Sequence, residues 1–189
     1  QNIPIIYISY SQNLNLLGIF TLHRALASLP NVALAKAISD PVYRKLRDLK
    51  NVLQIKKVFK AYMLLSAVFS ILVYVVIYIV AEHAISSLQS DWKFVPAYMI
   101  LLIAVYFPST VIRPLMAPIP LVRGEKALLN FEAMSLITKI TFTMICLWTD
   151  ATFNIFLVGF SVVSALFYIL IGCYFYQRYL TQMRKGYWL

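Results

Sequence analysis

From Ala61 to Ala81 the chain reads AYMLLSAVFSILVYVVIYIVA, twenty-one residues without a charge or a proline. About 20 apolar residues cross a hydrocarbon core about 30 Å thick as a helix. No polar face recurs here at helical or strand period, so lipid rather than water is the solvent this stretch suits. Backbone groups in lipid must be satisfied within the segment, which makes it a helix.

Working outward, four further spans are predicted: residues 16–39, with polar interruptions, residues 94–113, residues 127–149, which carry Glu132 and Lys139, and residues 153–176. The opening residues QNIPIIYISYSQ contain an apolar run, Ile3 to Tyr10, too short to cross. They read as the end of a truncated span over residues 1–10, in a chain that begins with Gln rather than Met. The expectation is a fragment cut inside a helix, with a re-entrant or interfacial stub as the alternative. The expected fold class is an all-α polytopic membrane protein of about six transmembrane helices, the first one truncated.

The loops fix an orientation, because cytoplasmic loops carry excess Lys and Arg. Arg44, Lys45, Arg47, Lys50, Lys56, Lys57 and Lys60 lie in one loop, Arg113, Arg123 and Lys126 in another, and Arg178, Arg184 and Lys185 in the tail. The alternate loops, Ser11–Asn15, Glu82–Lys93 and the turn at Asp150, are poor in cations. This places the basic loops and the C-terminus in the cytoplasm. Trp92, Trp148, Tyr98 and Tyr174 fall near predicted span ends, where aromatic rings prefer to sit. The net charge of +10 then reflects topology and anionic lipid headgroups. No nucleic-acid partner is expected, since no soluble stacking or groove-reading element accompanies the cations.

Between Asp40 and Lys60, Val42, Leu46, Leu49 and Leu53 recur at helical steps among basic residues. This predicts an amphipathic helix on the inner leaflet, or an extension of the second span. Its cations either anchor the topology or recognise an anionic headgroup.

Catalytic and metal chemistry find no purchase. Cys146 and Cys173 fall near opposite membrane faces, His23 and His83 are isolated, and no metal-ligand spacing occurs. There is no phosphate-cradling glycine loop and no nucleophile elbow. Neither an enzyme nor a cofactor is expected.

Intramembrane polar residues carry the functional signal, since a charge at mid-bilayer costs at least about 2.5–3.5 kcal/mol on insertion scales. Glu132, Ser135, Lys139, Thr143 and Cys146 share one face of a helix, within a wedge of about 80°. Glu132 and Lys139 stand about 10 Å apart along the axis, too far for a direct pair. The stripe either lines a hydrated pathway or makes two separate interhelical salt bridges. In the span 16–39, Thr21, Arg24, Ser28 and Asn31 share a face, and Arg24 has the alternative of a structural acid partner. Alanines at 25, 27, 33, 35 and 37 suit close helix contact. Pro30 and Pro108 predict kinks.

The run NIPIIYISYSQNLNLLGIFTLHRALASLPNVALAKAISDPVYRKL, with Pro4, the Ser11–Asn15 turn, Gly18 and Phe20, Arg24, Leu29–Pro30 and the small residues Ala33 to Ala37, resembles the seventh and eighth helices of polysaccharide-export flippases. The run from Asp91 to Ile140, with Trp92, Pro114, Pro118, Arg123 and Gly124, resembles their tenth and eleventh. The resemblance implies the multidrug/oligosaccharidyl-lipid/polysaccharide exporter superfamily, whose members have two six-helix lobes around a central cavity. The chain would be the C-terminal lobe of a twelve-helix transporter in the bacterial inner membrane, with the N-terminal lobe of the same protein as its partner. The implied cargo is an undecaprenyl-pyrophosphate-linked oligosaccharide, alongside membrane lipids. On that reading Arg24 and Lys139 meet phosphates or acidic sugars. Ser28, Asn31, Ser135 and Thr143 contact sugar hydroxyls, and Glu132 takes up a coupling proton. A small-molecule exporter of the same superfamily, or a non-transporting membrane subunit or enzyme of polysaccharide synthesis, is the alternative.

Overall fold

The computed structural model describes residues 2–10, 14–47, 49, 51–87 and 95–184, and among these the chain is helix and turn, with no strand. Seven α-helices follow in order: α1 (Ile3–Tyr10), α2 (Leu14–Arg47), α3 (Val52–Ser87), α4 (Pro96–Val111), the single turn α5 (Arg113–Met116), α6 (Glu125–Trp148) and α7 (Phe153–Arg184), with a 3-10 turn at Ile119–Val122. Trp92, Lys50, Lys185, residues 11–13 of the expected outer turn and half of the outer loop expected at Glu82–Lys93 lie outside the described residues, as do the side chains of residues 33–36 and 184.

The bundle is inside-out by the standards of a protein in water. On α3, Ser66, Ser70 and Tyr74 face inward at four-residue steps, while Leu64, Leu65, Val68, Leu72, Val75, Val76, Ile79 and Val80 are exposed. The inward serines return their hydroxyls to their own helix, Ser66 to the Tyr62 carbonyl at 2.8 Å and Ser70 to the Ser66 carbonyl at 2.6 Å. Helix α6 repeats the pattern, with Ser135, Thr143 and Cys146 buried and Ile137, Ile140, Met144 and Ile145 exposed. In water such an exposed apolar surface would drive aggregation, whereas in lipid it costs nothing. Among the described residues three helices are long and apolar enough to cross a membrane: Leu53–His83, Glu125–Trp148 and Phe153–Gln182. Helix α2 is not among these three, and α4, at 16 residues, is short.

Helix α4 sits centrally. It packs on α2, α3 and α7, while α6 lies on α7 and α1 bridges α2 to α6. At one end, which we term the basic end, Ile38, Val42 and Leu46 of α2 meet Ile55, Val58 and Phe59 of α3 and Phe175 and Tyr179 of α7. At the other, Tyr7 stacks on Phe156 with ring centres 4.1 Å apart, and its hydroxyl donates to the Ala151 carbonyl.

Several expected boundaries shift for local reasons. The helix predicted over Asp40–Lys60 is two helix ends, α2 closing at Arg47 and α3 opening at Val52. Helix α2 extends its span to Arg47, and Asn51 opens α3 by accepting the Leu53 N–H at 2.8 Å, as a helix cap does. Leu53 is consequently 67% exposed, away from the buried face of Val42 and Leu46. Helix α2 passes through Pro30 and Pro41 without ending, and α4 passes through Pro108. Helix α4 closes at Val111 and α5 opens at Arg113, since Pro114 lacks the N–H that would continue the ladder to the Thr110 carbonyl. Finally, α7 runs eight residues past the predicted 176, since its polar end is bonded to the α5–α6 connection. Arg178 donates to the Arg123 carbonyl at 3.1 Å, and Gln182 to the Val122 carbonyl at 3.2 Å.

Candidate functional site: a polar cavity between α4, α6 and α7

The α4–α5 break and the α6 stripe face the same space. A cavity of about 480 Å³ opens between α4–α5, α6 and α7, bounded on one side by Ile3 of α1. Its polar wall is Ser109 and Arg113, then Glu132, Ser135 and Lys139, then Ser164 and Tyr168. Three of the sequence candidates, Glu132, Ser135 and Lys139, are therefore brought together, because residues three, four and seven apart share a helix face.

Lys139 is half-buried, with its ammonium 5.7 Å from the centre of the Phe160 ring and 5.9 Å from that of Tyr168. Both lie within the range at which a ring face attracts a cation. No carboxylate pairs with Lys139 among the described residues, so the salt-bridge alternative for the stripe is not realised there. Glu132 is exposed at the cavity edge. Thr143 is buried and bonded to the Lys139 carbonyl at 2.7 Å, off the cavity wall.

Arg24 lies elsewhere. It lines a small void of about 20 Å³ that adjoins the cavity through Lys139, Ser164 and Tyr168. Its guanidinium donates to Asn2 Oδ1 at 2.8 Å, a neutral acceptor rather than an acid. Ser28 donates to the Ala25 carbonyl at 2.9 Å and does not reach the cavity. Asn31 is buried, and both ends of its amide are engaged. Its Nδ2 donates to Ser109 Oγ at 3.2 Å, and its Oδ1 accepts from Arg113 Nε at 3.1 Å.

Arg113, Ser109, Ser164 and Tyr168 were not legible as site residues. A cation flanked by loop residues reads as a topology anchor, and a serine in the apolar run FSVVSALFYIL reads as a packing residue. The available signal was the spacing of Phe160, Ser164, Tyr168 and Ile171 on α7. Ser164 is 1% exposed, and its hydroxyl has no partner among the described residues.

His23 is structural. It is buried, with Nδ1 2.7 Å from the Ile19 carbonyl oxygen and Nε2 accepting the Val95 N–H at 3.0 Å, which ties α2 to the start of α4. Cys146 and Cys173 are free thiols, and no group of side chains suited to a metal occurs among the described residues. Comparison with known protein families, curated proteins and solved structures finds no match.

Proposed function

We propose that this chain is one lobe of a membrane transporter that moves a lipid-linked oligosaccharide from the cytoplasmic to the outer leaflet. In this reading α2 and α4 also cross, α1 is part of a further span, and the basic end faces the cytoplasm. The observation that carries it is the cavity wall, on which two cations, Arg113 and Lys139, stand against one carboxylate, Glu132, inside an otherwise lipid-facing bundle. Cations held in low dielectric without a protein counter-charge are expensive, and intramembrane ionisable groups mark pathways by default. Such a wall favours a negatively charged polar headgroup and disfavours an organic cation. Serine hydroxyls at 109, 135 and 164 suit the many hydroxyls of a sugar. Arg24 extends the positive field into the adjoining void.

The test is surface polysaccharide in a flippase-null host expressing the complete gene. Rescue by the wild type, with export lowered about tenfold or more in Lys139→Ala at equal abundance, is the expected result. Failure of the wild type to rescue, or full export by a stable Lys139→Ala protein, removes the cargo reading.

A further inference from the structure

Arg113 is a cation of the cavity wall that a buried neutral side chain holds in place. It sits at the first residue of α5, immediately after the α4 break, where Pro114 prevents the helix from simply continuing. Its Nε is fixed by Asn31 Oδ1 at 3.1 Å, and the Asn31 amide is in turn fixed by Ser109 Oγ at 3.2 Å. Asn31 and Ser109 are each 5% exposed, so the tether is dry. The tether is also neutral and leaves the charge of the guanidinium intact. It uses one of five N–H donors, and the paired Nη groups have no bonded partner among the described residues. Arg113 lines the cavity together with Ser164, whose buried hydroxyl is unbonded among the described residues. A planar fork of donors held in one orientation matches the oxygens of a phosphate, which a point-like ammonium does not.

We propose that Arg113, oriented by Asn31 and Ser109, is a phosphate-type oxyanion post in this cavity, with Ser164 as an accompanying hydroxyl donor. Asn31 is thereby a positioning residue rather than a contact for the cargo. The proposal rests on the cavity being an anion site, and its test is separate from export. Purified protein in detergent is titrated with inorganic pyrophosphate, and in a second arm it is offered vesicles of phosphatidylcholine with and without phosphatidic acid.

The decisive variant is Asn31→Asp. It keeps an acceptor for Arg113 Nε and a partner for Ser109, so packing persists, but it cancels the cation. Wild type should bind, and Asn31→Asp and Arg113→Gln should each bind about tenfold more weakly or worse, with the thermal midpoint of Asn31→Asp at or above that of the wild type. Saturation by pyrophosphate alone identifies a free anion, and saturation by phosphatidic acid identifies a lipid headgroup. Wild-type affinity in a folded Asn31→Asp protein overturns the proposal. If Lys139→Gln alone then loses the anion, the cavity reading survives without Arg113. No binding by the wild type in either arm also overturns the proposal, while rescue of export judges the cargo reading by itself.

Discussion

Phe142 of α6 lies so close to the backbone of Gly159 on α7 that a Cβ at residue 159 would stand 2.2 Å from Phe142 Cζ. The ring is itself held, stacked at 6.1 Å on Phe156. Helix α6 supplies Glu132, Ser135 and Lys139 to the cavity and α7 supplies Ser164 and Tyr168, so this contact helps set the distance between two of its walls. Replacing Gly159 with Ala gains about 0.5–1 kcal/mol of helix propensity. Forcing the ring aside costs about 1–3 kcal/mol. The clash wins, and Gly159→Ala should lower the thermal midpoint in detergent, with recovery in the Gly159→Ala/Phe142→Leu double variant. A raised midpoint in the single variant would mean that the ring moves freely.

At the basic end, the Tyr179 hydroxyl donates to the Leu115 carbonyl at 2.7 Å, and both residues are buried. Tyr179→Phe preserves the ring packing on Phe59 at 5.2 Å but leaves that carbonyl oxygen without its side-chain donor. An unsatisfied buried group costs about 1–3 kcal/mol. The expected outcome is a loss of that size in global stability, with faster hydrogen exchange over residues 112–124. Unchanged exchange there would show that α7 does not hold the connection.

The orientation is open to a direct test with cysteine reporters. After removal of Cys146 and Cys173, a cysteine placed at the exposed Thr152 should react with an impermeant maleimide from outside intact cells, and one at the exposed Gln54 only after permeabilisation. The reverse pattern would invert the charge-based topology, and with it the direction of the proposed transport.

Much of this architecture was legible because helical period and lipid-facing runs leave strong marks. The α6 stripe from Glu132 to Cys146 could be placed on one face from spacing alone, and the structure turns Ser135, Lys139 and Cys146 into the bundle. What spacing cannot give is the partner across a gap of many residues. Asn31 looked like a group waiting for a ligand, yet its amide is taken up by Ser109 and Arg113, 78 and 82 residues away. Helix ends failed for a related reason. The polar tail of α7 resembles a loop until Arg178 and Gln182 find the carbonyls of Val122 and Arg123. Pro108 predicted a kink within α4, and the helix continues through it to Val111, since a proline there removes one N–H and crowds the carbonyl four back. In a well-packed helix those losses at Pro108 are tolerated, and Pro114 takes effect where the chain must turn.

Lys139 separates stability from function. Its two aromatic contacts contribute about 0.5–2 kcal/mol together, while a cation at this depth carries an insertion penalty of at least about 2.5–3.5 kcal/mol. Lys139→Met keeps the length and apolar stem of the side chain and removes both terms, and the larger one wins. The variant should therefore accumulate normally and melt at or above the wild-type midpoint in nanodiscs, while its export falls about tenfold or more. Tyr168→Leu in the wild-type background should lower the midpoint, because it removes a ring and leaves the cation. In the Lys139→Met background the same change should cost less, and the difference between the two measures the coupling. If Lys139→Met instead melts well below the wild type and still exports, the ammonium is a structural fixture between two rings and the cavity wall has lost its mobile-facing charge.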